Sequence, residues 1–304
     1  MLRLLFLSLW LAISPSAEDI IPMHVERLPE LNIPRSAHSL VYAGGELTVI
    51  GGHTTGFLLT NTAEYYKDGR WHLVETLYPH DFGAVTVLPS GEFIVAGGCD
   101  EPFGIGRSFG VERYDPATHG FTALPILDAK RTRFTMALQS DSTLLVSGNW
   151  YDTDCIGRYT PEKGGQVLRT VAQERCQPYI LQTSPGNAFI FSYTGNHSDS
   201  GVLERIVVDQ LQGESFGEPL LQEWRPVPYE SNFSTADLFI GDEALGGYAW
   251  LIPVRRADGQ TGILKLVGES FSLLETEKTI PTLDPDGHPI QWAALFADRA
   301  AENA

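Results

Sequence analysis

Arg131 and Arg133 sit two apart in Lys130-Arg131-Thr132-Arg133-Phe134, within a chain whose formal net charge is −17. A guanidinium grips a carboxylate through two parallel hydrogen bonds. Arginines gathered on one surface of an acidic protein would therefore select an anionic ligand, although they can equally pair with carboxylates of their own chain. Other patterns carry less chemistry. Cys99, Cys155 and Cys176 lie 56 and 21 residues apart, which fits no zinc spacing. Asp284-Pro285-Asp286-Gly287-His288 begins like a calcium loop but lacks the later ligands and the closing Glu, so it reads as a turn. Phe103-Gly104-Ile105-Gly106-Arg107 is rich in glycine but lies between strands, with no helix N-terminus to hold a phosphate. The chain has no HExxH and no clear Ser–His–Asp arrangement. These patterns imply no metal or cofactor and fix no catalytic residue.

The elements that would position these residues repeat. Leu47-Thr48-Val49-Ile50-Gly51-Gly52 is followed by Glu64-Tyr65-Tyr66 and Gly69-Arg70-Trp71. Glu92 to Gly98 is followed by Glu112-Arg113-Tyr114 and Gly120-Phe121, and Leu144 to Gly148 by Gly157-Arg158-Tyr159. Gly52 to Gly98 is 46 residues and Gly98 to Gly148 is 50; Tyr66 to Tyr114 is 48 and Tyr114 to Tyr159 is 45. A fourth unit runs from Phe189 to Gly195, then Glu204 to Ile206, and a fifth uses Thr235–Ile240, Gly247–Val254, Gly262–Val267 and Ser270–Glu275. Short apolar alternations broken by Gly, Asp and Pro are strands. A four-stranded unit of this length buries both faces only against its neighbours, as the blades of a β-propeller do.

This pattern resembles the Kelch-repeat family, in which a diglycine ends the second strand and is followed by a Tyr and then another aromatic. Gly51-Gly52, Tyr66 and Trp71 match that form, as do Gly97-Gly98, Tyr114 and Phe121. The third unit keeps only Gly148 and has no Trp. The resemblance implies an all-β, six-bladed propeller of four-stranded blades over residues 18–304. Its blades would be 35–77, 80–125, 131–170, 175–222 and 232–277. The closing blade would join 25–31 to 288–298 and lack its middle strands, so it is incomplete.

In ligand-binding members of this family a funnel around the axis is lined by residues just after the diglycine and just before each first strand. Here the first set is His53 and Thr54, Cys99 and Asp100, Asn149 and Trp150, and Asn196 and His197. The second is Arg35, His80, Asp81, Arg131, Arg133 and Arg175. Lys130-Arg131-Thr132-Arg133 approaches the family's Pro-Arg-x-Arg form, with Lys in place of Pro. The resemblance also brings in galactose oxidases, whose copper site finds no counterpart here, and sialic-acid epimerases. The latter need an Arg for the sugar carboxylate and an acid/base residue, for which Asp81, Asp100 and Glu174 are candidates.

The ends and composition bound the rest. Arg3, an apolar run from Leu4 to Ile13 and the small residues Ser14-Pro15-Ser16-Ala17 form a signal peptide over 1–17. The run is too short to span a bilayer. The mature chain is expected to be exported, periplasmic or extracellular, with no membrane span after cleavage. Export permits a disulfide, and Cys155 with Cys176 is one option beside three free thiols. The acidic balance disfavours nucleic acid and anionic membrane as partners. The expected function is a binding module for a carbohydrate or protein ligand at a polar, Arg-containing funnel, which would favour an anionic one. The alternatives are an enzyme of epimerase or mutarotase type acting on an acidic sugar, and a sensor or assembly domain of a longer protein.

Overall fold

Apolar runs separated by tight turns fold as antiparallel meanders, each strand pairing with the next in sequence. The computed structural model describes residues 20–21, 28–139, 142–148, 155–170, 176–184, 187–193, 201–207, 212–216, 220–226, 249–256 and 258–276. Strand β1 (Ile20–Ile21) comes first. The first sheet is built from β2 (Ser39–Ala43) and β3 (Glu46–Ile50), then, after a small hairpin of β4 (His53–Thr54) and β5 (Leu58–Leu59), from β6 (Thr62–Lys67) and β7 (Arg70–Glu75). The second contains β8 (Ala84–Val87), β9 (Phe93–Ala96), β10 (Val111–Asp115) and β11 (Gly120–Ala123). The third contains β12 (Thr135–Leu138), β13 (Leu144–Ser147), β14 (Cys155–Thr160) and β15 (Gly164–Thr170). The fourth contains β16 (Cys176–Ser184), β17 (Asn187–Tyr193), β18 (Gly201–Val207) and β19 (Gln212–Phe216). After a helical turn α1 (Leu220–Glu223), the fifth contains β20 (Trp224–Pro226), β21 (Ala249–Arg256), β22 (Thr261–Val267) and β23 (Ser270–Thr276). The protein is all-β, a succession of four-stranded antiparallel sheets.

The sheets pack face to face through their first strands, β2 against β8, β8 against β12 and β12 against β16. Alternate residues of a strand point to opposite faces, so a strand covered on both sides should be apolar at every position. Strand β9 is such a strand. Phe93 and Val95 pack with Val41, Ile50 and Val85 towards the first sheet, while Ile94 and Ala96 pack with Val111, Phe134 and Leu144 towards the third. Strand β13 repeats the arrangement, with Leu144 and Val146 facing the second sheet and Leu145 facing Ile180 and Ile190 of the fourth. The core is therefore a series of inter-sheet layers. Trp224, Val254 and Leu264 form a separate layer within the fifth sheet. Tyr114 and Tyr159 are buried, and Tyr66 lies against Trp71 with ring centroids 5.2 Å apart.

Two assignments at the end of the chain differ from expectation. The strand beside β21 is Trp224–Pro226, not Thr235–Ile240, which lies outside the described residues. Residues 28–31 form no strand. Instead β1 runs parallel to β23, with Ile20 opposite Glu275 and Ile21 opposite Thr276. Residues 288–298 also lie outside the described residues. Among the described residues no helix is long and apolar enough to cross a membrane.

Candidate functional site

Each of the first three sheets holds a buried cation or imidazole just before its first strand. Arg35 donates from Nη1 to the carbonyls of Gly51 (3.0 Å) and Thr62 (2.7 Å), and from Nη2 to Glu64 Oε1 at 2.8 Å. Glu64 also accepts the backbone N–H groups of Asn32 and Ile33. In the second sheet His80 takes the equivalent place. Its Nδ1 donates to the Gly97 carbonyl at 2.9 Å and its Nε2 meets Glu112 Oε1 at 2.7 Å. Glu112 caps the backbone of Leu77 and Tyr78. Both imidazole nitrogens face oxygen acceptors, so the ring bridges carbonyl and carboxylate as the guanidinium does.

The third sheet keeps the cation and moves the acid. Arg131 donates to the Gly148 carbonyl at 2.9 Å and, through Nη2 and Nε, to Asp128 at 2.7 and 3.1 Å. The strand position of Glu64 and Glu112 is here Gly157, whose Cβ, if present, would stand 2.6 Å from Asp128 Oδ2. The carboxylate enters from the loop into the space that the strand glycine leaves. Arg35, His80 and Arg131 are 8 %, 0 % and 1 % exposed. Where the sequence places these three along an open funnel, they are buried among partners of their own chain. Their donors are turned into their own sheets, where an unpaired charge would be costly.

Two residues further along, Ala37 (φ 56°), Phe82 (φ 59°) and Arg133 (φ 52°) all adopt left-handed backbone. That conformation turns the peptide groups sideways. Phe82 N–H donates to the Ala37 carbonyl and Arg133 N–H to the Phe82 carbonyl, each at 2.9 Å. A short spiral of hydrogen bonds thus crosses from sheet to sheet. Each such residue stores roughly 1–3 kcal/mol of strain, held by the packing around it. Ala37, Phe82 and Cys99 pack together beneath the spiral. The Arg133 guanidinium lies 3.8 Å above the Phe82 ring, a cation–π contact. Arg133 itself is partly exposed.

His53 and Asp81, from the first and second sheets, meet in this region. His53 Nδ1 donates to Asp81 Oδ1 at 2.8 Å, and both side chains are buried. Asp81 Oδ2 is buried with no hydrogen-bond partner among the described residues. Burial raises the Asp81 carboxyl above its ordinary range, a rise opposed by the bond from His53. The carboxylate at Nδ1 orients the ring, so that Nε2 points away from Asp81. Cys99 Sγ sits 3.3 Å from Thr132 Oγ1, and burial pushes its thiol up to about 11. Nearby His38 is pushed down to about 4, first by burial and then by the Arg35 charge.

Outside this pair the surface changes character. The Phe57 ring lies 4.8 Å from the His53 ring, and the Phe103 ring lies 6.0 Å from that of Phe57. Phe57, Leu58, Phe103 and Ile105 are all about half exposed or more. Asp100 and Glu101 are exposed beside them. Of the expected ligand residues, the structure thus brings together His53, Asp81, Arg133 and Asp100, and turns Arg35, His80 and Arg131 inward. Asn149, Trp150, Arg175 and Asn196 lie outside the described residues, as do Glu174 and the side chains of Cys155 and Cys176. Sequence reasoning missed Phe57 and Phe103, which belong to no repeated position. It also missed Glu64 and Glu112, although each stands two residues before a repeated Tyr. No protein-family model matches the chain, and no curated protein matches it in sequence.

Proposed function

We propose that this protein is an exported Kelch-type β-propeller acting as a binding module for a carbohydrate or protein partner. Its ligand is taken at the ends of the first three sheets, where His53, Asp81, Arg133 and Asp100 lie beside Phe57 and Phe103. Three features support the propeller: four-stranded meanders in succession, first strands side by side, and β1 laid along the last sheet. The observation that carries the binding reading is the exposed pair of phenyl rings next to a buried, oriented imidazole. Aromatic faces with a few placed polar groups are the usual composition of a recognition site. Arg133, partly exposed and stacked on Phe82, adds a cationic group to the same surface.

The test is a thermal-shift screen of the chain against sialic acids, uronic acids, neutral glycans and peptides. A ligand that binds only the folded state raises the melting temperature. The expected shift disappears in a Phe57→Ala/Arg133→Ala variant. A shift of the same size in that variant would place the ligand elsewhere.

A second reading, an enzyme of sialic-acid epimerase or mutarotase type, draws on the His53–Asp81 pair. A carboxylate-held imidazole can accept a proton at Nε2 from a substrate hydroxyl. Proton NMR of a freshly dissolved sialic acid separates the two readings. An enzyme accelerates equilibration of the anomers and loses that effect with His53→Gln, whereas a binding module leaves the rate unchanged.

A further inference from the structure

Phe57 (φ 57°) and Phe103 (φ 65°) hold bulky rings in left-handed backbone, the region that favours glycine. Glycine occupies comparable loop positions at Gly45, Gly56, Gly69 and Gly104. A strained aromatic is retained where something over-determines it. For Phe82 that is the buried hydrogen-bonded spiral. For Phe57 and Phe103 burial supplies no such reason, because the two are 47 % and 68 % exposed. Phe57 contacts His53 and Phe103, yet about half or more of each phenylalanine stays open to solvent.

They form one surface. Phe103 N–H donates to the Phe57 carbonyl at 3.4 Å, and the rings stand 6.0 Å apart. Leu58 and Ile105, each 58 % exposed, extend the patch. Asp100 and Glu101 edge it with two carboxylates. Gly106 leaves room for the first, since a Cβ there would come within 2.2 Å of Asp100 Oδ1. An exposed apolar patch with a polar edge marks an interaction site. A sugar would set hydroxyls against Leu58 and Ile105, which offer them no hydrogen bond. A second copy in a symmetric contact would oppose one acidic edge with the same edge.

Resting on the binding-module reading and narrowing its partner, we propose that this patch docks a segment of a partner protein. The segment carries an aromatic or branched aliphatic anchor beside Lys or Arg. The anchor seats on Phe57 and Phe103, and the basic group faces Asp100 and Glu101 on a chain of net charge −17.

The test pans a random peptide library displayed on phage against the whole chain, with counter-selection on a Phe57→Gly/Phe103→Gly variant. The expected consensus joins an apolar anchor to Lys or Arg. A synthetic consensus peptide should lose affinity about tenfold or more in the double variant, as hot-spot truncations do, and should bind more weakly as salt rises. Should the double variant fail to fold, Asp100→Lys/Glu101→Lys changes only exposed groups and should weaken the peptide in the same way. An acidic consensus, no enrichment, or binding indifferent to both variants overturns the proposal. A glycan bound by the wild type and lost in the phenylalanine variant also overturns it, while leaving the binding-module reading intact. A dimer abolished by that variant identifies the occupant as a second copy and overturns it too. Failure of every glycan and peptide to bind removes both.

Discussion

At the inner ends of the sheets, Arg35, His80 and Arg131 each face a carboxylate and a glycine carbonyl within their own sheet. A short way along the chain from the first two, Phe57 and Phe103 carry their rings into solvent. The two regions invert the usual distribution, with charge inside and aromatic surface outside. A buried charge is tolerated because removing it from water is compensated by several directed partners at once. The exposed rings have fewer partners within the fold: Phe57 meets His53 and Phe103, and much of both rings faces solvent. The contrast separates residues that hold the sheets together from residues left to meet something else.

The largest effect should come from breaking an inner pair on one side. Glu112→Ala leaves His80 and the Leu77 and Tyr78 N–H groups without their acceptor in a fully buried site. A loss of about 3–5 kcal/mol is expected in denaturant melts, with Glu112→Gln costing less because it keeps one acceptor. A loss under about 1 kcal/mol, the range of an exposed pair, would mean that the inner network is not load-sharing.

The third sheet sharpens the comparison. Gly157→Glu alone should destabilise, since its Cβ meets the Asp128 carboxylate, and Asp128→Ala alone should destabilise by stranding Arg131. Combined, they restore the arrangement of the first two sheets. The double variant should therefore be more stable than the sum of the single effects, by a coupling of about 0.5–3 kcal/mol. Strict additivity would show that loop and strand carboxylates are not interchangeable at this position.

A smaller effect separates the two regions by pH. His38 has its folded pKa pushed down to about 4 from 6.5, so folding favours its neutral form. Its contribution is complete above pH 6.5 and is lost as pH falls towards 4. Asp81 acts in the opposite sense: its raised carboxyl removes stability as pH rises above 3.8. Melting temperatures should fall between pH 6.5 and 4, and less steeply in a His38→Gln variant. An identical profile in that variant would assign the acid sensitivity to other groups.

The sheets were legible because β-strands repeat with the chain. The runs ending at Gly52, Gly98 and Gly148 became β3, β9 and β13. The role of the cations was not legible, since Arg35 and Arg131 look the same whether they grip a ligand or a buried carboxylate. Their partners could have been traced through Glu64 and Glu112 at equivalent places, with Gly157 and Asp128 exchanging roles in the third. Phe57 and Phe103 could not have been found by spacing. What distinguishes them is a backbone angle together with exposure, and neither is written in a single sequence. Trp224–Pro226 was missed as the strand beside β21 because three residues are too short to show a period.

The smallest effect tests the contrast most directly. Ala37 and Phe57 share left-handed backbone, with φ of 56° and 57°, but one is fully buried and the other is 47 % exposed. Glycine relieves about 1–2 kcal/mol of that conformational cost and gives back about 0.5–1 kcal/mol in chain entropy. At Ala37 the substitution also removes a methyl packed against Phe82 and Cys99, worth about 0.8 kcal/mol, so Ala37→Gly should leave the melting temperature unchanged or slightly lower. At Phe57 the ring contributes mainly its stacking on His53, and Phe57→Gly should melt at or above the wild type. If instead Phe57→Gly drops the melting temperature by several degrees, the ring is a structural support for the His53–Asp81 pair. Its exposure would then no longer call for an external partner.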